Sequence, residues 1–251
     1  MRTLNCDFCF PAKMVTAKRK RPSGPPLAKS SHQKVTDAHR SGSRLSRQPL
    51  GAQRNWIKGV KMKVIGISGS PRSNSNSEIL LKHALEPFIE NKWEVISFLL
   101  SENNVAPCKG CDDCNQLGKC SINDDMDILY EAFVSCSAII IASPVYYRNV
   151  TSQLKAVFDR SYALKDKHYL ADKVGGAIAV GRGTGGGQSI VLTVIYNYLL
   201  SSGAICVPGE LNGVSAVADQ PGDILNQPKR LSQARVLGEN VLRYALLVNR
   251  S

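Results

Sequence analysis

"KVIGISGSPRSNSNSEILLKHALEPFIEN", residues 63–91, decides the fold. Residues 63–68 form a short β-branched run that ends at Ser68. A polar loop (69–77) follows, and residues 78–91 then carry apolar side chains at helical spacing, so the unit reads strand, loop, helix. The same alternation continues outward. "WEVISFLL" (93–100) is a second strand, and "DDMDILYEAFVSC" (124–136) a helix opened by Asp residues suited to capping it. "AIIIASPV" (138–145) is nearly all apolar, as a strand buried on both faces of a parallel sheet must be. "SQLKAVFDRSY" (152–162), "QSIVLTVIYNYLL" (188–200) and "LSQARVLGENVLRYALLV" (231–248) are helices, while "VGGAIAV" (174–180) and "AICVP" (204–208) are the fourth and fifth strands. The pattern predicts an open, doubly wound α/β domain over 62–251 with a five-stranded parallel sheet. In such sheets ligands bind beyond the carboxyl ends of the strands.

The net charge of +12 is confined to one end. Residues 1–61 carry fourteen Lys/Arg against Asp7 and Asp37, whereas residues 62–251 carry eighteen of each sign. The globular part therefore has no nucleic-acid signature. The first 61 residues are Pro-, Ser- and Arg-rich without sustained periodicity, and read as a disordered basic tail. Two origins stay open for it: a targeting segment, or an upstream stretch preceding a start at Met62. Cys6 and Cys9 in it receive no role. No run of eighteen apolar residues predicts a membrane span, and no secretory signal is evident, so the expected setting is the reducing cytoplasm.

Two stretches carry chemistry. The loop 68–77 combines Ser70, Ser73, Ser75, Asn76 and Ser77 with Arg72 at the start of a helix, which suits a phosphate monoester. A Walker A sequence is absent, and the G-x-G-x-x-G formed by Gly181, Gly183 and Gly186 follows the wrong strand for a dinucleotide site. "CKGCDDCNQLGKC" (108–120) spaces Cys108, Cys111, Cys114 and Cys120 as C-x2-C-x2-C-x5-C within a loop spanning 106–123. Disulfides are disfavoured in a reducing compartment, and structural zinc usually pairs two separated C-x2-C knuckles. Three thiolates at x2 spacing suit three corners of a [4Fe–4S] cubane, with the fourth returned by the arm "NQLGK". A cluster, zinc, and thiols without metal remain the competing readings. Cys136 and Cys206 read as core fillers. The histidines (His32, His39, His83, His168) form no catalytic constellation, and Asp124 and Asp125 read as helix caps rather than as a catalytic pair.

"GISGSPRSNSNS", then "SPVYYRNVTSQLKAVFDR" (143–160), then "GRGTGGGQS" (181–189) resemble, in that order, the NADPH-dependent FMN reductase superfamily. With the four-cysteine loop after the second strand, the chain from about residue 63 onward is most similar to the iron–sulfur flavoproteins of that superfamily. The resemblance implies a flavodoxin-like fold and an FMN phosphate held by Ser70, Arg72, Ser75, Asn76 and Ser77. It implies an isoalloxazine against Pro144, Val145, Tyr146 and Tyr147 and against Gly183, Thr184, Gly185 and Gly186. Similar sequences often place an acid after the position of Gln188, where this chain has Ser189. The expected function is electron transfer by FMN and a [4Fe–4S] cluster between a one-electron carrier such as ferredoxin and a two-electron acceptor, in a homodimer or homotetramer. The alternatives are a cluster-free reductase using NAD(P)H, and a flavin-binding module whose tail docks on nucleic acid.

Overall fold

The structure, a computed structural model, describes residues 62–167 and 169–249. The expectations for residues 1–61, including Cys6 and Cys9, lie outside the described residues, as does His168. The elements run β1 (Lys63–Ser68), α1 (Asn76–Glu90), β2 (Glu94–Leu99), α2 (Asp113–Leu117), α3 (Met126–Ser135), β3 (Ala138–Pro144), α4 (Ser152–Arg160), β4 (Val174–Gly181), α5 (Gln188–Ser201), β5 (Ile205–Cys206), β6 (Val214–Val217) and α6 (Pro228–Val248).

All strand pairs are parallel, in the order β2-β1-β3-β4-β5, with β6 also pairing with β4. This is the flavodoxin-like order, with its switch point between β1 and β3. Two elements are not announced by the sequence: the short helix α2 inside the cysteine loop, and a sixth strand where five were expected. The expected fifth strand, 204–208, pairs with β4 only over two residues, and the same edge resumes at Val214 opposite Ile178. The edge strand is thus interrupted by residues 207–213, and its second half is too short to carry a pattern of its own.

The alternation of side chains along a strand sorts the core into two layers. Val64, Ala138, Ile140 and Ile178 face α1 and α6 with Leu81, Phe88, Leu237 and Val241. Ile65, Ile67, Ile139 and Ile141 face α3, α4 and α5 with Leu129, Phe133, Leu154, Val157 and Ile195. Burial on both faces explains why β3 is apolar throughout. The α1–α6 layer depends on one small residue: a Cβ at Gly238 would lie 2.0 Å from the Ala84 carbonyl oxygen, so only glycine lets these helices pack so closely. Among the described residues, no helix is long and apolar enough to cross a membrane.

Candidate functional site: a cleft at the switch point and a cysteine loop

The loop after β1 is shaped by its own hydroxyls. Buried Ser70 accepts from the Arg72 backbone N–H at 3.1 Å. Ser75 caps α1, its Oγ accepting from the Glu78 N–H at 3.3 Å, and lies 3.2 Å from the Ser77 Oγ. Glu78 reaches back to accept from the Asn74 N–H at 2.9 Å, a variant of the capping box, and Lys82 offsets its charge at 2.7 Å. The N–H groups of Asn76 and Ser77 have no intrahelical acceptor and stand at the positive end of the α1 dipole. The Asn76 side chain also makes a long-range tie. Its Nδ2 donates to the Gln220 carbonyl at 2.8 Å, and its Oδ1 accepts from the Ile224 N–H at 3.2 Å. It thereby joins the segment after β6 to the start of α1.

The loop after β3 lies alongside. Tyr146 and Asn149 exchange backbone hydrogen bonds of 2.9 and 3.0 Å across a two-residue turn. Both central residues, Tyr147 (φ +47°) and Arg148 (φ +63°), are left-handed, the geometry of a type I′ turn made without glycine. Tyr147 is 103% exposed and Tyr146 is 42% exposed. Gly187, at φ +104°, packs against this turn: a Cβ there would meet Arg148 Cα at 3.0 Å. The glycine loop after β4 is closed by Gln188, whose Nε2 donates to the Gly183 carbonyl at 2.9 Å.

These segments enclose a cleft of about 520 Å³ at the carboxyl edge of the sheet. Nine of the expected FMN contacts line it: Ser70, Arg72, Ser75, Asn76, Ser77, Pro144, Val145, Tyr146 and Tyr147. Gly183, Thr184, Gly185 and Gly186 are not among its walls. On that side stand Val180, Arg182, Ala218, Asp219 and Pro221, with Arg182 Nε and Asp219 Oδ1 paired at 2.5 Å. Sequence reasoning misses Asp219 because it follows β6, the strand that no pattern announces.

The cysteine loop is anchored at both ends by one buried side chain. Arg160, 1% exposed at the end of α4, donates through Nη1 to the Ala106 carbonyl at 3.0 Å and through Nη2 to the Ile122 carbonyl at 3.1 Å. The same fork pairs with Asp124 at 2.8 and 3.0 Å. Asp124 also accepts from the N–H groups of Ala106 and Met126. This corrects the reading of Asp124 as simply a cap. Asp125, by contrast, makes no side-chain bond to the helix and instead accepts from the Asn104 N–H at 2.7 Å. Burial favours a neutral Asp124, but Arg160 and the two N–H donors outweigh it and hold the carboxyl below the usual carboxylate range. Arg160 Nε is, among the described residues, a buried donor with no partner, a state that costs about 1–3 kcal/mol.

Between these anchors the thiols are free and accessible. Cys108 and Cys111 are exposed, Cys114 and Cys120 half-buried. The Gly110 N–H lies 3.5 Å from the Cys108 sulfur. The Cys111 sulfur and the Ser121 hydroxyl lie 3.7 Å apart across the loop, and Ser121, then Cys111, hold the nearby Asp113 carboxyl below the usual carboxylate range. Burial instead pushes the Cys136 and Cys206 thiols up to about 11; Cys136 fills the core as expected, whereas Cys206 is only half-buried on the edge strand β5. No three Cys, His, Asp or Glu side chains among the described residues are gathered to hold a single metal ion. The donor set nevertheless suits an iron–sulfur cluster: four free thiols on one loop, with an unpartnered buried N–H at its base.

Comparison with known proteins shows the family. A family model described as NADPH-dependent FMN reductase matches residues 62–217. An iron–sulfur flavoprotein of Methanocaldococcus jannaschii is 39% identical over 193 residues, covering 75% of this chain and 100% of that protein. An iron–sulfur flavoprotein of Methanosarcina thermophila is 43% identical over 147 residues, covering 58% of this chain and 77% of that one. Among solved structures, RosB with bound 8-demethyl-8-formylriboflavin-5'-phosphate superposes with a TM-score of 0.61 at 17% identity, over 76% of this chain and 81% of its own.

Proposed function

The chain belongs to the NADPH-dependent FMN reductase family and is a flavin-dependent oxidoreductase; on that footing we propose that it is an electron-transfer flavoprotein that holds FMN in the switch-point cleft and a [4Fe–4S] cluster on Cys108, Cys111, Cys114 and Cys120. The observation that carries this reading is the convergence of the loops after β1 and β3 on one cleft, with the four-thiol loop clamped in the same domain. Bound there, FMN exchanges one or two electrons and the cluster one at a time, which suits traffic between a ferredoxin-like carrier and a two-electron acceptor.

The side chains do the holding. The N–H groups of Asn76 and Ser77, the hydroxyls of Ser75 and Ser77, and the Arg72 guanidinium bind the phosphate at the head of α1. Val145 and Tyr146 give the flat ring an apolar wall, and Tyr147 excludes water above it. Arg182, oriented by Asp219, supplies positive charge on the opposite side. No side chain acts as nucleophile or general base in this scheme. The family resemblance supports a homodimer or homotetramer with the flavin near a subunit interface.

A second reading, a cluster-free reductase using NAD(P)H, is favoured by the thiols not being gathered around one point. Iron, acid-labile sulfide and flavin measured on one anaerobically purified sample separate the two. About four iron and four sulfide per FMN are expected for the cubane. FMN without iron after reconstitution, together with rapid bleaching by NADPH, would replace it with the second reading.

A further inference from the structure

We propose that Arg160 is a positioning residue of the cysteine loop, offering its unpartnered N–H and its positive charge to the Cys120 sulfur while it ties the two ends of the loop together. The inference rests on the four cysteines being cluster ligands. Three observations carry it. The guanidinium binds Ala106, two residues before Cys108, and Ile122, two residues after Cys120, so one side chain closes the loop on both sides of the thiols. Its Nε is buried and has no hydrogen-bond partner among the described residues, although its two terminal nitrogens make four hydrogen bonds. The Tyr130 hydroxyl donates to the Arg160 carbonyl at 2.9 Å, and Arg160, Tyr130 and Cys120 interact electrostatically as one group next to the end of the loop. A buried donor left over at the base of a ligand-bearing loop is the kind of group by which outer residues hold ligands and set the potential of what they bind.

The test uses the full chain, reconstituted without oxygen, with iron, sulfide and flavin assayed together and the cluster potential followed by redox titration. Arg160→Met should retain flavin but lose iron to a chelator roughly ten- to a hundredfold faster. Its remaining cluster should titrate at a lower potential, because a positive charge and a donor are gone. Asp124→Asn should move the potential the opposite way, since it leaves the guanidinium uncompensated. A merely structural clamp would loosen in both variants without shifts of opposite sign. If Arg160→Met fails to bind flavin and hence to fold, Arg160→Lys decides: it keeps the charge but not the fork, so iron should leave faster at a nearly unchanged potential. Equal iron retention and unmoved potentials in the folded variants, beside an iron-loaded parent, overturn this inference alone. A flavin-bound parent that takes up no iron overturns it together with the proposed function.

Discussion

Thr151 donates its hydroxyl to the Gly69 carbonyl at 2.6 Å, and the same oxygen accepts from the Leu154 N–H at 3.2 Å. One buried side chain therefore caps α4 and fastens the loop after β1 to the loop after β3. Replacing it with alanine removes the cap and strands a buried carbonyl, a loss of about 2 kcal/mol. Thr151→Ala should accordingly lower the urea midpoint and weaken flavin binding, whereas Thr151→Ser should restore both. Chemical denaturation alongside a flavin fluorescence titration reads the two effects. Unchanged flavin affinity in a destabilised Thr151→Ala would mean that the two loops are positioned independently.

The phosphate half of the cleft has a separable signature. Arg72 is exposed on the cleft wall, where its charge has no role in the core. Losing one charge-assisted contact to a phosphate costs about 1.5–3 kcal/mol, a tenfold or greater loss of affinity. Arg72→Ala should weaken FMN binding by about that factor and leave riboflavin, which lacks the phosphate, unaffected. Equal weakening of both flavins would move Arg72 from the phosphate to the ring.

Local patterns make most of this architecture legible. The β-branched run before a Ser-rich loop and a helix at 63–91 suffices for the first βα unit, and an all-apolar stretch marks the doubly buried β3. The Asp124–Arg160 pair escapes for the same reason that those succeed. Each partner has a plausible local explanation, an acid before a helix and a cation in a helix's last turn, and their pairing across 36 positions leaves no periodic trace. Asn76 is readable as a flavin contact, yet its tie to Gln220 and Ile224 bridges more than 140 residues and emerges only from the fold. The Arg182–Asp219 pair stays hidden because β6 spans four residues, too few for alternation to show.

The Asp124–Arg160 pair should make stability depend on acid. The carboxyl has a lower pKa in the folded chain than in the unfolded one. Its contribution is therefore complete above the unfolded value of about 4 and disappears as the pH falls through the lower folded value. Breaking a buried pair from one side costs about 3–5 kcal/mol. Asp124→Asn should thus be less stable than the parent at pH 7 by roughly that order, and the gap should narrow as both are titrated below about pH 4. Urea midpoints measured from neutral pH down to about pH 2.5 test this. A gap independent of pH would assign the loss to packing instead of charge.

The turn at Tyr147–Arg148 holds strain that the fold could shed. Left-handed backbone costs a residue with a Cβ about 1–2 kcal/mol, and two such residues stand in succession here. Asn and Gly occupy these positions at little cost, so the double substitution Tyr147→Asn, Arg148→Gly should raise stability by about 1–2 kcal/mol. The same change strips the cleft of its fully exposed aromatic. Flavin-dependent electron transfer should therefore fall while the urea midpoint rises. That opposition is what distinguishes strain kept for function from strain that is incidental. A variant that gains stability at full activity would place Tyr147 outside the reacting site, and its exposure would then need another account, such as a contact between subunits.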